Sequence, residues 1–513
     1  TVDKGLNKTD LKPRKFYHLK SELNNPNSLR GDFIFSLCED RTGNTWMANY
    51  NAGITKYNPA GNKFSFYENK PSDNRSLSNN QPRIIYEDKS GTIWIGNIAG
   101  GFNKYNPRSD SFERYDVGNG LSNNNVRIFF EDNENNFWIG TSGGGLNKFD
   151  RLTNKFTHFI NDPANENSLS SNTVTSICQD KSGLLWIGTF DGGLNRFDPK
   201  TNTFKRYFYP GADSANISGN TVTYLYLSKE GKLWVGTWNS GISLYDESND
   251  RFIQFTEKDG LLNNVICGIG EDNYGDLWIS SVKGVSKFNY AKREFMNYSM
   301  NDGIQKGELN PGAFLINKEG WIFLGGTDGV SVFHPDSLKR NTMHSGVVIT
   351  SLKILNEEYL SETQVPFLRQ LELNHDENII SIEFASLDFT NSARNQFKYI
   401  LEGFDKDWIQ SGTRNFITYT NLDPGKYTFK VKGTNSDGVW NDIPAEIKIL
   451  INAPWWQTSW AYSGYILIII SGLWGIRRFE KSRIKLRNKL RLQEFESQKL
   501  KEIEIMKSRF FAN

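Results

Sequence analysis

The sequence predicts an all-β outer region followed by a single long helix. Its parts are a seven-bladed β-propeller (1–338), an immunoglobulin-like β-sandwich (347–454), one transmembrane helix (455–476) and a cytoplasmic coiled-coil helix (477–513). Three observations carry this prediction. Short apolar runs recur around seven tryptophans within residues 15–335. About a hundred residues with a different alternating pattern come next. Last, an uncharged run between Lys448 and Arg477 is bordered by tryptophans and then by a basic block.

The repeat is clearest in NTVTSICQD (172–180), LLWIGT (184–189), LNRFD (194–198) and FKRYF (204–208). The pattern returns around Trp46, Trp94, Trp138, Trp186, Trp234, Trp278 and Trp321, at separations of 48, 44, 48, 48, 44 and 43 residues. Each unit offers four short strands, the content of one propeller blade. Asp-x-x-Gly (88–91, 180–183, 272–275) joins the first two strands, because Asp can bond nearby backbone and Gly can take positive φ. Gly pairs (100–101, 192–193) form the next hairpin. The last unit stops at SVFHP (331–335) without its fourth strand, while KFYHL (15–19) matches KFTHF (155–159) ahead of the first full unit. The N-terminal strand is therefore expected to complete the last blade, which hides strand edges. Strand-like patterning without a 3.6-residue period excludes a leucine-rich or helical solenoid.

With KFYHL-type strands outermost, VTSIC-type strands line the central channel. The strand-four-to-strand-one loops then share a face with the hairpins that follow the Trp strands, and function concentrates on loops carried by a rigid scaffold. Hairpin tips on that face include Tyr50, Phe190 with Asp191, and Trp238 with Asn239. Aromatic and amide or carboxylate neighbours suit sugar rings, by stacking and by bonding hydroxyls. Arg83 and Arg127 fall at equivalent positions near the channel mouth in adjacent blades and can together hold a carboxylate or sulfate bidentately. Ordinary loop or blade packing is the competing explanation for each of these residues.

Residues 335–346 are polar, contain breakers and resemble a linker. Six alternating runs follow, from VVITSLKIL to AEIKILIN, with Asp423-Pro424-Gly425 placed for a type II turn. Tyr399, Tyr419, Tyr427 and Trp408 are expected in the core of this sandwich. Its last strand runs almost directly into WWQTSWAYSGYILIIISGLWGI (455–476), about 33 Å as a helix and enough to cross a bilayer. Trp455, Trp456, Trp460 and Trp474 sit where interfacial aromatic belts belong. The basic block RRFEKSRIKLRNKLR (477–491) puts the C-terminal side in the cytoplasm by the positive-inside rule. Residues 477–513 are helical by propensity, with partial three-four spacing that fits a dimeric coiled coil or a surface-lying amphipathic helix.

A net charge of +2 gives no global field for nucleic acid, and no contact with nucleic acid is expected from this portion. Three cysteines cannot form a disulfide framework, and no His/Cys cluster has metal-ligand spacing. Export of the outer domains requires a signal peptide, expected to have been removed or left out.

This order of parts resembles the hybrid two-component system sensor histidine kinases of glycan-degrading bacteria. ED-x-x-G-x-LWIGT-x-x-GGLN-x-FD is similar to the two-component regulator propeller repeat. YILEGFDKDW (399–408) with TYTNLDPGKYTFKVKGTNSDGVW (418–440) resembles the triple-tyrosine domain, and Tyr399, Tyr419 and Tyr427 match its name-giving tyrosines. KSRFFAN (507–513) resembles the approach to a kinase dimerisation helix. Many members carry two propellers, whereas this chain has seven units. The resemblance implies a sensor and transmembrane portion, outer domains in the periplasm, a homodimer in the bacterial inner membrane and an oligosaccharide ligand. It further implies a phosphorelay that regulates glycan-utilisation genes. No catalytic residue, metal or cofactor is expected in this chain; the phosphoacceptor His, ATP and Mg belong to a kinase domain expected beyond it. The alternatives are a membrane-bound regulator without a kinase and a propeller glycosidase. Sialidase aspartate boxes place one residue between Asp and Gly, whereas two intervene here.

Overall fold

A computed structural model of the chain describes residues 15–209, 216–338, 341–360 and 363–510. The chain divides into two compact units at residues 339–340.

The first unit contains seven four-stranded antiparallel sheets. Their first strands touch in cyclic order, and Leu309–Ile316 of the seventh sheet returns to Ile34–Glu39 of the first, so the propeller is closed. Tyr17–Leu19 supplies the fourth strand of blade 7, pairing with Val330–Val332. Phe16, just before it, is buried with its ring 5.0 Å from Phe333. Blade 7 also reaches blade 1 through Asn310 Nδ2, which donates to the Ile34 carbonyl (2.8 Å), and through the Lys318 amide, which donates to Glu39 Oε2 (2.9 Å).

Local chemistry explains the repeat. In blade 3, Asp132 Oδ1 accepts the amides of Glu134 (2.9 Å) and Asn136 (2.8 Å), and its Oδ2 accepts the indole N–H of Trp138 (2.8 Å). Asp40, Asp88, Asp180 and Asp272 bond Trp46, Trp94, Trp186 and Trp278 in the same way, at 2.8–2.9 Å. One carboxylate thus folds the first hairpin and fixes the buried tryptophan. The small residue two places after that Trp has a packing reason. A Cβ on Gly188 would lie 2.6 Å from Val222 of the next blade, so glycine lets adjacent first strands approach.

Blade 7 departs from the expected pattern. Asn317 takes the place of the turn Asp, and the residue in register with the other tryptophans is Phe323, not Trp321. Trp321 precedes its strand, Ile322–Gly326, and is half-buried against His334. A tryptophan two places early produced the anomalous last separation.

The second unit is a two-sheet sandwich of four and five strands. Six or seven strands were expected, and the three with no counterpart among the six alternating runs are Glu357–Glu358, Gln370–Leu373 and Ile409–Gly412. Gln370–Leu373 lies parallel to the last strand, Ala445–Ile451. Tyr399 and Tyr419 are in the core, Tyr427 is half-buried, and Trp408 is 37% exposed next to an edge strand. Trp408 is therefore not a core residue; Lys398 Nζ sits over its ring at 5.7 Å. Tyr419 Oη donates to Asp405 Oδ2 (2.7 Å), which also accepts the Leu401 amide (2.7 Å), pinning the 403–408 loop. Gly425 is not in the positive-φ region a type II turn needs there; Asn421, at φ 56°, makes the reversal and Gly425 begins a strand. Residues 341–346 are not a free linker. Asn435 Nδ2 donates to the carbonyls of Asn341 (2.7 Å) and Met343 (2.9 Å), binding them to this unit.

The helix α1 spans Ser459–Phe510, 52 residues or about 78 Å, without interruption. It starts later than expected, because Trp455–Gln457 form a 3-10 turn after Pro454 and Thr458 Oγ1 accepts the Ala461 amide (3.4 Å). Its N-terminal part is long and apolar enough to cross a membrane and is not buried by the rest of the chain. Phe511, Ala512 and Asn513 of KSRFFAN lie outside the described residues.

Candidate functional site

The first strand of every blade carries a register shift near its start. A bulge of this kind turns one side chain away from the ladder. In blades 1 to 6 the residues at this position are Phe35, Arg83, Arg127, Thr175, Thr223 and Cys267, and the wider shift of blade 7 opens at Asn310. Three of them stitch neighbouring blades. Thr175 Oγ1 donates to the Val222 carbonyl (2.6 Å), Cys267 Sγ to that of Leu309 (3.3 Å) and Asn310 Nδ2 to that of Ile34 (2.8 Å). In blade 5 the buried Thr223 Oγ1 has no partner among the described residues, and blades 1 to 3 carry an aromatic ring and two cations at this position.

The residues of blades 1 to 3 are contiguous. Phe35 packs with Phe33 (5.1 Å between ring centroids) and Tyr50 (5.5 Å). Arg83 Cζ lies 5.9 Å from the centre of the Phe35 ring, and Arg127 Cζ lies 5.7 Å from that of Phe190. An arc therefore runs from Tyr50 and Phe35 through Arg83 and Arg127 to Phe190. Burial, with a smaller contribution from the Arg127 charge, brings the Arg83 guanidinium down to about 10. Burial lowers that of Arg127 as well. Both stay cationic at neutral pH. Neither forms an ion pair among the described residues, and the buried Arg127 Nε and Asn125 Oδ1 have no hydrogen-bond partner there.

The other expected residues lie further along the same face. Asp191 Oδ1 accepts from Ser171 Oγ (2.5 Å), a contact between a hairpin tip and a strand-four-to-strand-one loop. Trp238 is 43% exposed and Asn239 is exposed at the tip in blade 5. Among the described residues, no hydrogen bond, ion pair or ring contact joins Trp238 or Asn239 to the arc. Phe33 and Phe35 belong to it but were not singled out from sequence. Aligning DFIFSLCED with QPRIIYED puts Phe35 on Arg83, so the signal was present in the repeat.

Comparison with known proteins agrees with this architecture. A family model described as two component regulator propeller matches residues 76–99, 120–143, 168–191 and 216–239, and one described as Y_Y_Y domain matches 388–452. Histidine kinase P4 of Formosa agariphila is 32% identical over 265 residues, 50% of this chain and 19% of its own length. The extracellular domain of a hybrid two component system from B. thetaiotaomicron is 29% identical, with a TM-score of 0.73 over 86% of this chain and 58% of that one. A second such domain from the same organism, 23% identical with a TM-score of 0.50 over 83% of this chain and 57% of that one, shares the fold. The chain thus spans less than two thirds of the length of each of these relatives. With two component regulator propeller repeats, a Y_Y_Y domain and a helix able to cross a membrane, the chain is similar in sequence and fold to the extracellular portions of hybrid two-component systems.

Proposed function

We propose that this chain is the periplasmic ligand-sensing and membrane-crossing portion of a sensor histidine kinase, and that its ligand is an oligosaccharide. In this reading the outer domains bind the saccharide, binding favours one arrangement of a homodimer in the inner membrane, and the helices carry that preference to a kinase domain. The kinase uses ATP and Mg to phosphorylate its own His and passes the phosphate to an Asp, regulating glycan-utilisation genes. The ligand can shift this equilibrium only by its differential affinity for the two arrangements.

The observation that carries the reading is mechanical. The sandwich strand Ala445–Ile451 is followed within a few residues by Ser459–Phe510, with no extended loop between them. The junction is held on both sides: Asn452 Nδ2 donates to Glu372 Oε1 (2.9 Å), and the Trp456 ring lies edge-on to His375 at 5.1 Å. A change in the tilt of the sandwich therefore moves the top of the helix. The exposed aromatic tips of the propeller face support a saccharide, because rings with adjacent amide or hydroxyl groups match a sugar's apolar and polar faces.

Calorimetric titration of the full chain in detergent with a panel of glycan fragments tests the reading. At least one fragment should bind at micromolar concentration. If none does, the saccharide is excluded as the ligand class.

A further inference from the structure

We propose that Arg83 and Arg127 form a subsite for the carboxylate or sulfate group of an acidic saccharide, at the propeller mouth over blades 1 to 4. The saccharide half of this inference rests on the function proposed above; the anion half stands on the geometry alone.

The bulge positions supply the first argument. Four of the seven positions carry a small or amide side chain, and three of these, Thr175, Cys267 and Asn310, donate to the next blade's carbonyl. Arg83 and Arg127 make no such bond. Two adjacent guanidinium groups in the same half-buried ring repel one another and lose hydration, and the lowered proton affinity of Arg83 records both effects.

The second argument is the surroundings. Some half-buried cations of the propeller are neutralised, as where Arg151 meets Asp88 (2.9 Å) and Glu131 (2.5 Å); others lie over a buried tryptophan, as Lys104 does over Trp94 (5.7 Å) and Lys148 over Trp138 (5.6 Å). Arg83 and Arg127 are of the second kind, over the rings of Phe35 and Phe190, and differ from the others in lying close enough for the charge of Arg127 to be felt at Arg83. Such rings hold a guanidinium in place without neutralising its charge, leaving its N–H groups to an incoming oxyanion. The buried Arg127 Nε and Asn125 Oδ1, without partners among the described residues, lie at the same bulge. Phe190, 49% exposed, and the half-buried Tyr50 flank the cations, placed to stack on the rings either side of a charged residue.

The test uses the full chain in detergent and its Arg83→Gln and Arg127→Gln variants. Probes are inorganic sulfate against chloride at equal ionic strength, and tetrasaccharides that are uronate-containing, sulfated or neutral. The proposal expects sulfate to raise the melting temperature of the wild type more than chloride does, and this excess to vanish in both variants. It expects at least one acidic tetrasaccharide to bind ten-fold or more tightly than its neutral counterpart, and ten-fold or more weakly to each variant. Which acid binds distinguishes carboxylate from sulfate. Without ligand, both variants should melt at or above the wild-type temperature; a lower value would mean the arginines are structural and would overturn the proposal. Neutral saccharides binding equally well to all three proteins would overturn it while leaving the sensor reading intact. A sulfate effect that depends on both arginines, with no saccharide bound, would keep the anion subsite and discard the saccharide.

Discussion

At the residue scale, the turn aspartates do more than the sequence pattern implied. The pattern Asp-x-x-Gly accounts for the hairpin, but the bond from the tryptophan six residues on makes each carboxylate a link between turn and core. Asp132→Ala strips acceptors from the Trp138 indole and two amides, a loss of about 3 kcal/mol visible as a lower melting temperature of the propeller transition. Blade 5 allows the converse change. Ser228 Oγ accepts only the Lys232 amide (3.0 Å), so Ser228→Asp should extend an acceptor toward Trp234 and stabilise the fold by about 1 kcal/mol in the same assay. Acid sensitivity has the same origin. Burial alone would raise the Asp40 carboxyl, but hydrogen bonds from Thr42, Trp46 and Asn44 outweigh it and hold it at about 2, below its ordinary 3.8. A carboxyl depressed by folding stabilises the native state above its ordinary value and loses that contribution as pH falls through the folded value. Melting temperature should therefore drop between pH 4 and pH 2, and Asp40→Asn should flatten the drop.

At the element scale, the decisive contact joins the two ends of the propeller. Tyr17–Leu19 has no close sequence neighbour to pair with, and its partner lies more than three hundred residues away. Phe16 anchors that strand in the core of blades 6 and 7. Phe16→Ala should cost about 3 kcal/mol and let limited proteolysis cut near residue 20 before the other blades are attacked. The closure itself was legible, because KFYHL duplicates a fourth strand and the last repeat lacks one. The register of blade 7 was not. A tryptophan at 321 outweighed the weaker signal of Phe323, and only strand pairing separates them.

At the scale of the whole molecule, the charge asymmetry beside the candidate span of α1 predicts an orientation. From Arg477 to Arg491 the helix carries eight basic residues and one acid, Glu480. A fluorescent protein fused after residue 513 should fluoresce in the cytoplasm, whereas an alkaline phosphatase fused there should be inactive. Replacing the basic residues of 477–491 with glutamine should weaken or reverse that outcome. Because the same helix continues to Phe510, inserting four residues after residue 480 rotates everything beyond it by about 40°. On the function proposed above, this insertion should change the output of a chain joined to a kinase domain without altering the saccharide affinity measured by calorimetry.

The sequence alone determined the seven blades, the sandwich, the closing strand and the candidate span. All of these follow from local periodicity, turn chemistry and runs long enough to be read along one dimension. Tertiary structure decided which bulge residues meet at the mouth, that Phe33 and Phe35 join them, that Trp408 leaves the core and that residues 341–346 bind the sandwich. Those facts depend on which residues of separate blades or strands face one another. Spacing along the chain fixes the position of Arg83 and Arg127 within their own repeats, but only the closed ring leaves them together without a carboxylate among the described residues.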